Sequence, residues 1–185
     1  LGVKTDQILV IKFPGPTEGM KTKMESMRRA IKKLPLASKV TCSGAVPGEE
    51  VAMFLSNHRA HDALKQNRLY EMLSCDPDYI DAYGLEVVAG RGFSEEYGDD
   101  VNKLVINETA ARMLGYVDND DAIGEEIAVE TLGEPMQVIG VVKDYHQQAL
   151  NKGYTGVMLF HKDKIDWIPQ RYISVAVSYT HLRAH

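Results

Sequence analysis

Apolar residues in this chain gather in short, β-branched runs broken by turn residues, and one long stretch keeps helical spacing instead. Gln7–Phe13 reads Gln-Ile-Leu-Val-Ile-Lys-Phe and is stopped by Pro14-Gly15-Pro16, which predicts a first strand. Beyond Thr17, a capping residue type, Met20, Met24, Met27, Ile31 and Leu34 recur at steps of four and three and so share one helical face. That spacing predicts Met24, Met27 and Ile31 buried against the first sheet. Lys21, Arg28, Arg29, Lys32 and Lys33 take the other positions. The basic residues near the end suit the negative pole of the helix dipole, and Pro35 ends the helix. With a strand over Lys39–Ser43, the first third is strand–helix–strand, a unit that asks for a sheet with the helix packed on one side.

Further along, Val51–Leu55 and Leu69–Cys75 predict two strands around a polar connection from Asn57 to Asn67. Asp76-Pro77-Asp78-Tyr79-Ile80-Asp81-Ala82-Tyr83-Gly84 has an acidic cap, a proline in the first turn and a terminal glycine, the marks of a short helix. Strands follow at Leu85–Ala89 and Val101–Ile106, then a helix capped by Asn107 and ended by Gly115. Ile127–Thr131 and Met136–Lys143 flank the turn Leu132-Gly133-Glu134-Pro135 as a hairpin, and Val157–Phe160 and Tyr172–Val177 are the last strands. Strands outnumber helices and most are joined by short turns, which indicates an α+β fold rather than a doubly wound sheet.

Composition adjusts this picture modestly. The 185 residues suit one ordinary domain or two small lobes, and 44% hydrophobic with 25% charged residues are globular values. A formal net charge of -5 leaves no general basic footprint for nucleic acid. The longest apolar runs, Ile8–Ile11 and Val138–Val142, fall short of the roughly 18 residues a membrane helix needs, and Lys4, Thr5 and Asp6 interrupt anything like a leader. Cys42 and Cys75 are the only cysteines. Both sit at strand ends, where a bridge would suit an oxidising compartment, but two cysteines without a dense framework read first as small buried residues.

Five segments carry a resemblance by their order. They are Gly90-Arg91-Gly92-Phe93-Ser94, Val105-Ile106-Asn107-Glu108-Thr109-Ala110-Ala111-Arg112-Met113-Leu114-Gly115, Ala122-Ile123-Gly124-Glu125-Glu126-Ile127, Val138–His146 and Arg171-Tyr172-Ile173-Ser174-Val175. In that order they resemble the extracytoplasmic core domain of MacB-like (FtsX-like) ABC transporter permeases, especially the long permeases of Bacteroides-type bacteria. The resemblance runs from about Asp6 to about Val177. It implies a porter-like α/β lobe of residues 1–75 with 166–177, holding a smaller mixed α/β lobe of residues 76–165. It also implies a further helix and strand after Val177. Ser178–His185 continues no such pattern and reads as non-family sequence, so an open sheet edge and self-association near Tyr172–Val177 are expected.

Candidate chemistry is sparse. In Asn57-His58-Arg59-Ala60-His61-Asp62, one helical turn would make His58 and His61 neighbours with Asp62 as a third metal ligand. Lacking the Glu of His-Glu-x-x-His, the cluster reads first as two solvated histidines. Lys143-Asp144-Tyr145-His146 offers an acid, a phenol and an imidazole after a buried strand, but no nucleophile motif, phosphate-binding glycine loop or second carboxylate pair accompanies it. Asp144 and His146 therefore read as tying down turn amides. The Met20/Met24/Met27 stripe reads as core, and the basic face (Lys21, Lys23, Arg28, Arg29, Lys32, Lys33) as a solvated surface in place of a lipid or acidic-partner site. Ala45-Val46-Pro47-Gly48-Glu49-Glu50 matches a Pro-Gly loop of the resembled domains.

These readings give no catalytic, cofactor or metal residues and no enzyme activity. The resemblance implies a periplasmic or extracytoplasmic domain of an inner-membrane permease, relaying movement for efflux or for lipoprotein and lipid handling. Its implied partners are the permease's own membrane helices, a second permease copy or second extracytoplasmic domain, a separate cytoplasmic ATPase and a periplasmic adaptor, with no nucleic acid. The alternative is a ligand-sensing module of a peptide-sensing system, and a hydrolase built on Asp144 and His146 comes last.

Overall fold

In the computed structural model, which describes residues 2–3, 7–15, 17–51 and 53–178, ten strands and three α-helices form one connected sheet system. The α+β class holds. The strands are β1 (Ile8–Lys12), β2 (Ala37–Ser43), β3 (Phe54–Arg59), β4 (Arg68–Cys75), β5 (Val87–Gly90), β6 (Lys103–Asn107), β7 (Glu126–Val129), β8 (Met136–Val142), β9 (Val157–His161) and β10 (Tyr172–Val177). The helices are α1 (Met20–Lys32), α2 (Tyr79–Tyr83) and α3 (Glu108–Met113). No helix of the described residues is long and apolar enough to cross a membrane.

Two bodies emerge from the pairing. β10 lies between β1 and β2, antiparallel to both, so the β1–α1–β2 crossover spans a three-stranded sheet. The remaining strands close on themselves. β4 pairs β3, β3 pairs β7, β7 pairs β8, β8 pairs β6, β6 pairs β9, and β9 returns to β4. β5 covers the free part of β8. Between the two bodies the strand ladder has one residue pair, Ser43 of β2 opposite Cys75 of β4. β3 and β4 belong to 1–75, yet they pair with β7 and β9 of 76–165, so hydrogen bonds cross the boundary expected between lobes.

Strand alternation sorts the core. Tyr70, Met72, Leu104, Ile106, Ile127, Val129, Met136, Val138, Met158 and Phe160 pack together as the core of the ring. The alternate positions Leu73, Cys75, Val105, Val142 and Leu159 face a second cluster with Tyr79, Tyr83, Tyr145 and Tyr172. Met24, Val40, Cys42, Ile173 and Val175 form the third, beneath α1.

Two motif glycines have a steric reason. Gly90 and Gly140 oppose each other in the β5–β8 ladder. A Cβ at Gly140 would stand 2.0 Å from the Arg91 carbonyl oxygen, and one at Gly90 would stand 2.1 Å from that of Ile139.

Several expectations need correction. Met27 is 42% exposed, and buried Arg28 takes a place under α1 beside Met24, because acidic partners at the joint neutralise it. Arg28 is therefore not part of a solvated basic face. α1 is preceded by Gly19 in a left-handed conformation (φ 73) rather than capped by Thr17. The predicted strand at Val51–Leu55 begins at Phe54 and runs through His58 into the supposed polar connection, because β7 offers it a second partner. β10 is central, with β1 and β2 on either side, so Tyr172–Val177 is no sheet edge; among the described residues β1 pairs only with β10, and β5 only with β8. Ser178 donates its amide to the Leu36 carbonyl at 3.0 Å, and the rest of the tail expected to be non-family sequence, 179–185, lies outside the described residues.

Candidate functional site

Lys143–His146 leaves β8 and meets α3. Asp144 Oδ1 accepts from the Thr109 amide at 2.8 Å, and Oδ2 accepts from Thr109 Oγ1 at 2.8 Å and Arg112 Nη2 at 2.7 Å. In return the Asp144 amide donates to Glu108 Oε2 at 3.0 Å. The carboxylate is thus committed to the first turn of α3. His146 turns elsewhere, its ring 4.6 Å from that of Tyr154, while its carbonyl accepts from the Gly48 amide at 3.1 Å. Tyr145 is buried, and that burial pushes its phenol far up. Acid, phenol and imidazole therefore do not converge: Asp144 ties down a backbone amide as the sequence suggested, whereas His146 does not, its buried Nδ1 having no hydrogen-bond partner, as is true of the Tyr145 hydroxyl.

The Pro-Gly loop docks on the same segment. Gly48, at φ 92, donates to both the His146 and Gln147 carbonyls, and Gln147 Nε2 returns bonds to the Val46 and Glu49 carbonyls at 2.9 and 3.1 Å. Tyr172 of β10 donates to Glu49 Oε2 at 2.7 Å, and Lys152 pairs with Glu50. The strap 145–156 also presents Gln148 to Glu71, a carboxylate 1% exposed on β4 whose Oε2 has no hydrogen-bond partner. Asn107 secures the far end: Oδ1 accepts from the amides of Ala110 and Val157, and Nδ2 donates to the Thr155 carbonyl. The loop and Lys143–His146 were each visible in sequence. Gln147, Glu71 and the second role of Asn107 were not, since single polar residues in ordinary strands and loops give no signal until the chain folds.

The joint between the two bodies holds the densest charge cluster. Asp76, 1% exposed at the end of β4, accepts from Thr41 Oγ1, from the Cys42 amide at 2.8 Å and from the Asp78 amide at 3.1 Å. Burial pushes its carboxyl up against those bonds. Arg28 of α1 lies 3.8 Å from Asp76, 3.3 Å from Asp78 and 3.1 Å from Glu25, and Lys32 pairs with Asp78 at 2.5 Å. Cys42 and Cys75 are free. They occupy adjacent ladder levels with side chains in different clusters, and burial pushes the Cys42 thiol to about 12.

The histidine cluster is dispersed. His58 lies within β3 opposite Ala128, His61 Nε2 sits beyond the strand 3.1 Å from Glu126, and Asp62 accepts from the Leu64 amide. A strand, unlike the helical turn assumed, does not bring residues three apart together. Among the described residues no group of three or more His, Cys, Asp or Glu could hold a metal ion. On α1, Lys21 pairs with Asp163, Arg29 with Glu25 and Lys32 with Asp78, so much of the basic face is answered from within the domain.

Residues 4–184 match the family described as the MacB-like periplasmic core domain. No curated protein sequence matches the chain. Among solved structures, the periplasmic region of MacB from Actinobacillus actinomycetemcomitans is similar over 96% of this chain and 77% of its own, at 18% identity and a TM-score of 0.63. The extracellular domain of the noncanonic ABC-type transporter YknZ from Gram-positive bacteria is similar over 91% of this chain and 82% of its own, at 17% identity and a TM-score of 0.59. At such identities these likenesses speak for the fold.

Proposed function

The chain belongs to the MacB-like periplasmic core domain family and is an extracytoplasmic domain of an ABC transporter permease; from that premise we propose that it relays movement without catalysis. In this reading ATP is hydrolysed by a separate cytoplasmic ATPase, the permease's membrane helices carry the movement across an inner membrane, and the domain works against a second copy. Efflux, or lipoprotein and lipid handling with a periplasmic adaptor, is the output. The three-stranded sheet with α1 and the closed ring serve as the levers. The observation that supports the relay is the joint. Two strongly paired bodies share one ladder pair, Ser43 opposite Cys75, beside a common apolar cluster that includes Leu73 and Tyr172, and separately paired bodies packed on one another are parts from which hinge and shear motions are made.

The test is a reversible lock. Paired strand residues stand within disulfide reach, so Ser43→Cys in the full-length permease should bridge to Cys75. Transport should stop under oxidation and return with reductant while ATP hydrolysis continues. Transport indifferent to a formed bridge would sink the relay. The competing reading, a ligand-sensing module, instead requires a peptide or lipid that raises the melting temperature. Because Asp144 and His146 serve separate structural partners, the domain should show no peptidase, esterase or ATPase turnover; turnover abolished by His146→Ala would overturn the non-catalytic reading.

A further inference from the structure

α1 is tied to the other body by side chains rather than by strand pairing. Arg28, 7% exposed, is the one basic residue of the helix placed among three carboxylates: Glu25 on its own helix, and Asp76 and Asp78 where β4 passes into α2. Asp76 simultaneously holds β2 through Thr41 Oγ1 and the Cys42 amide. Lys32, one turn further along α1, adds a second hold on Asp78. One buried carboxylate thus gathers β2, the end of β4, the start of α2 and α1 at the level where the ladder between the bodies is one pair wide.

We propose that Arg28, Asp76 and Asp78 form an ion-pair clasp that sets the angle between the three-stranded sheet with α1 and the closed ring, with Arg28 and Asp76 as the positioning residues for the relay. The inference rests on the relay reading and adds to it the groups that hold the joint. Its chemistry suits a joint that must hold and also open. A guanidinium among carboxylates keeps strong directional bonds while desolvated. The apolar cluster of Leu73, Tyr79, Tyr83 and Tyr172 beside it supplies non-directional cohesion, and the ion pairs add the direction that fixes one angle.

The experiment is a spin-label distance measurement in the full-length permease, with labels on Ser26→Cys in α1 and Val117→Cys in the ring, both exposed. The parent should give a narrow distribution. Arg28→Gln should broaden it, and the charge-conserving Arg28→Lys should recover it in part. Should Arg28→Gln prevent folding, the half-exposed arm Lys32→Gln with Asp78→Asn decides the matter and should broaden the distribution to a lesser degree. A distribution as narrow as the parent's in every folded variant overturns the clasp. Transport is read in the same variants: a broadened distribution with transport unchanged leaves the clasp standing and sinks the relay, whereas a broadened distribution with transport lost and ATP hydrolysis retained supports both.

Discussion

At the scale of single residues, contacts decide outcomes that composition leaves open. Gly140 has no room for a side chain, since a Cβ would meet the Arg91 carbonyl oxygen, a backbone atom that cannot swing aside. Gly140→Ala should therefore destabilise the domain by about 1–3 kcal/mol or more, read as a lower urea midpoint; a midpoint equal to the parent's would show that β5 and β8 separate freely. On α1 the expectation divides. Met24→Asp should abolish cooperative folding, because an unpaired charge would enter the core beneath the helix, while Met27→Asp at a 42% exposed position should shift the melting temperature little. Equal effects at both positions would mean that α1 is rotated from the orientation described. Glu71 gives a signed pH effect. Burial holds its carboxyl above the ordinary 4.5, against hydrogen bonds from Gln148 and Thr155 and the charge of Lys152, while Glu50 pushes the same way as burial. A carboxyl raised in the fold contributes stability that is complete below about 4.5 and is lost as pH climbs through the folded value. Glu71→Gln should thus flatten the decline of melting temperature on the alkaline side of that range. An unchanged slope would show that Glu71 is solvated.

At the scale of elements, what was legible in sequence was whatever a local period or a local cap encodes. β10 coincides with its expected run, α2 ends at Gly84 in the left-handed conformation its glycine promised, and Asn107 caps α3 by accepting from the Ala110 amide. The misses share one cause: tertiary partners overrode a local reading. His58 and Arg59 looked like loop because they are polar, yet β7 pairs with them. Val101 looked like strand but lies in a 3-10 turn, Asp100–Asn102, where buried Asp100 receives both terminal nitrogens of Arg91 at 2.8 Å. Arg28 looked like surface because it is charged, and the acids that bury it lie some fifty residues onward. The site was legible only in its parts, since the Pro-Gly loop and Lys143–His146 could be named but not joined. Their junction yields its own expectation. Asp144→Ala would free the Thr109 amide and leave Thr109 Oγ1 and Arg112 bonded only to each other, so α3 should lose amide-exchange protection before the ring does. Uniform loss across both would show that α3 and the ring open as one unit.

At the scale of the whole molecule, the ring has no open side, whereas the three-stranded sheet does. β4, β3, β7, β8, β6 and β9 satisfy one another around the closure and β10 is sandwiched; of the two strands paired on one side alone among the described residues, β5 is four residues long, and the five-residue β1 is the longer template for another strand. The pleat identifies the outward-facing groups. Gln7 accepts from the Val177 amide and Phe13 donates to the Arg171 carbonyl, so odd-numbered residues serve β10 and Ile8, Val10 and Lys12 turn their amides away from it. Leu9 and Val10, 58% and 42% exposed, add apolar surface at that edge. Exposed edge and exposed apolar area together favour antiparallel pairing of two β1 strands about a twofold axis, a self-complementary contact that ends with two chains. The isolated domain should accordingly show a concentration-dependent mass in light scattering that rises toward a dimer. Val10→Lys, which places like charges face to face across the new ladder, should return it to monomer without lowering the melting temperature of the monomer. A monodisperse monomer at every concentration, or a dimer indifferent to Val10→Lys, would show that the edge of β1 is not the contact.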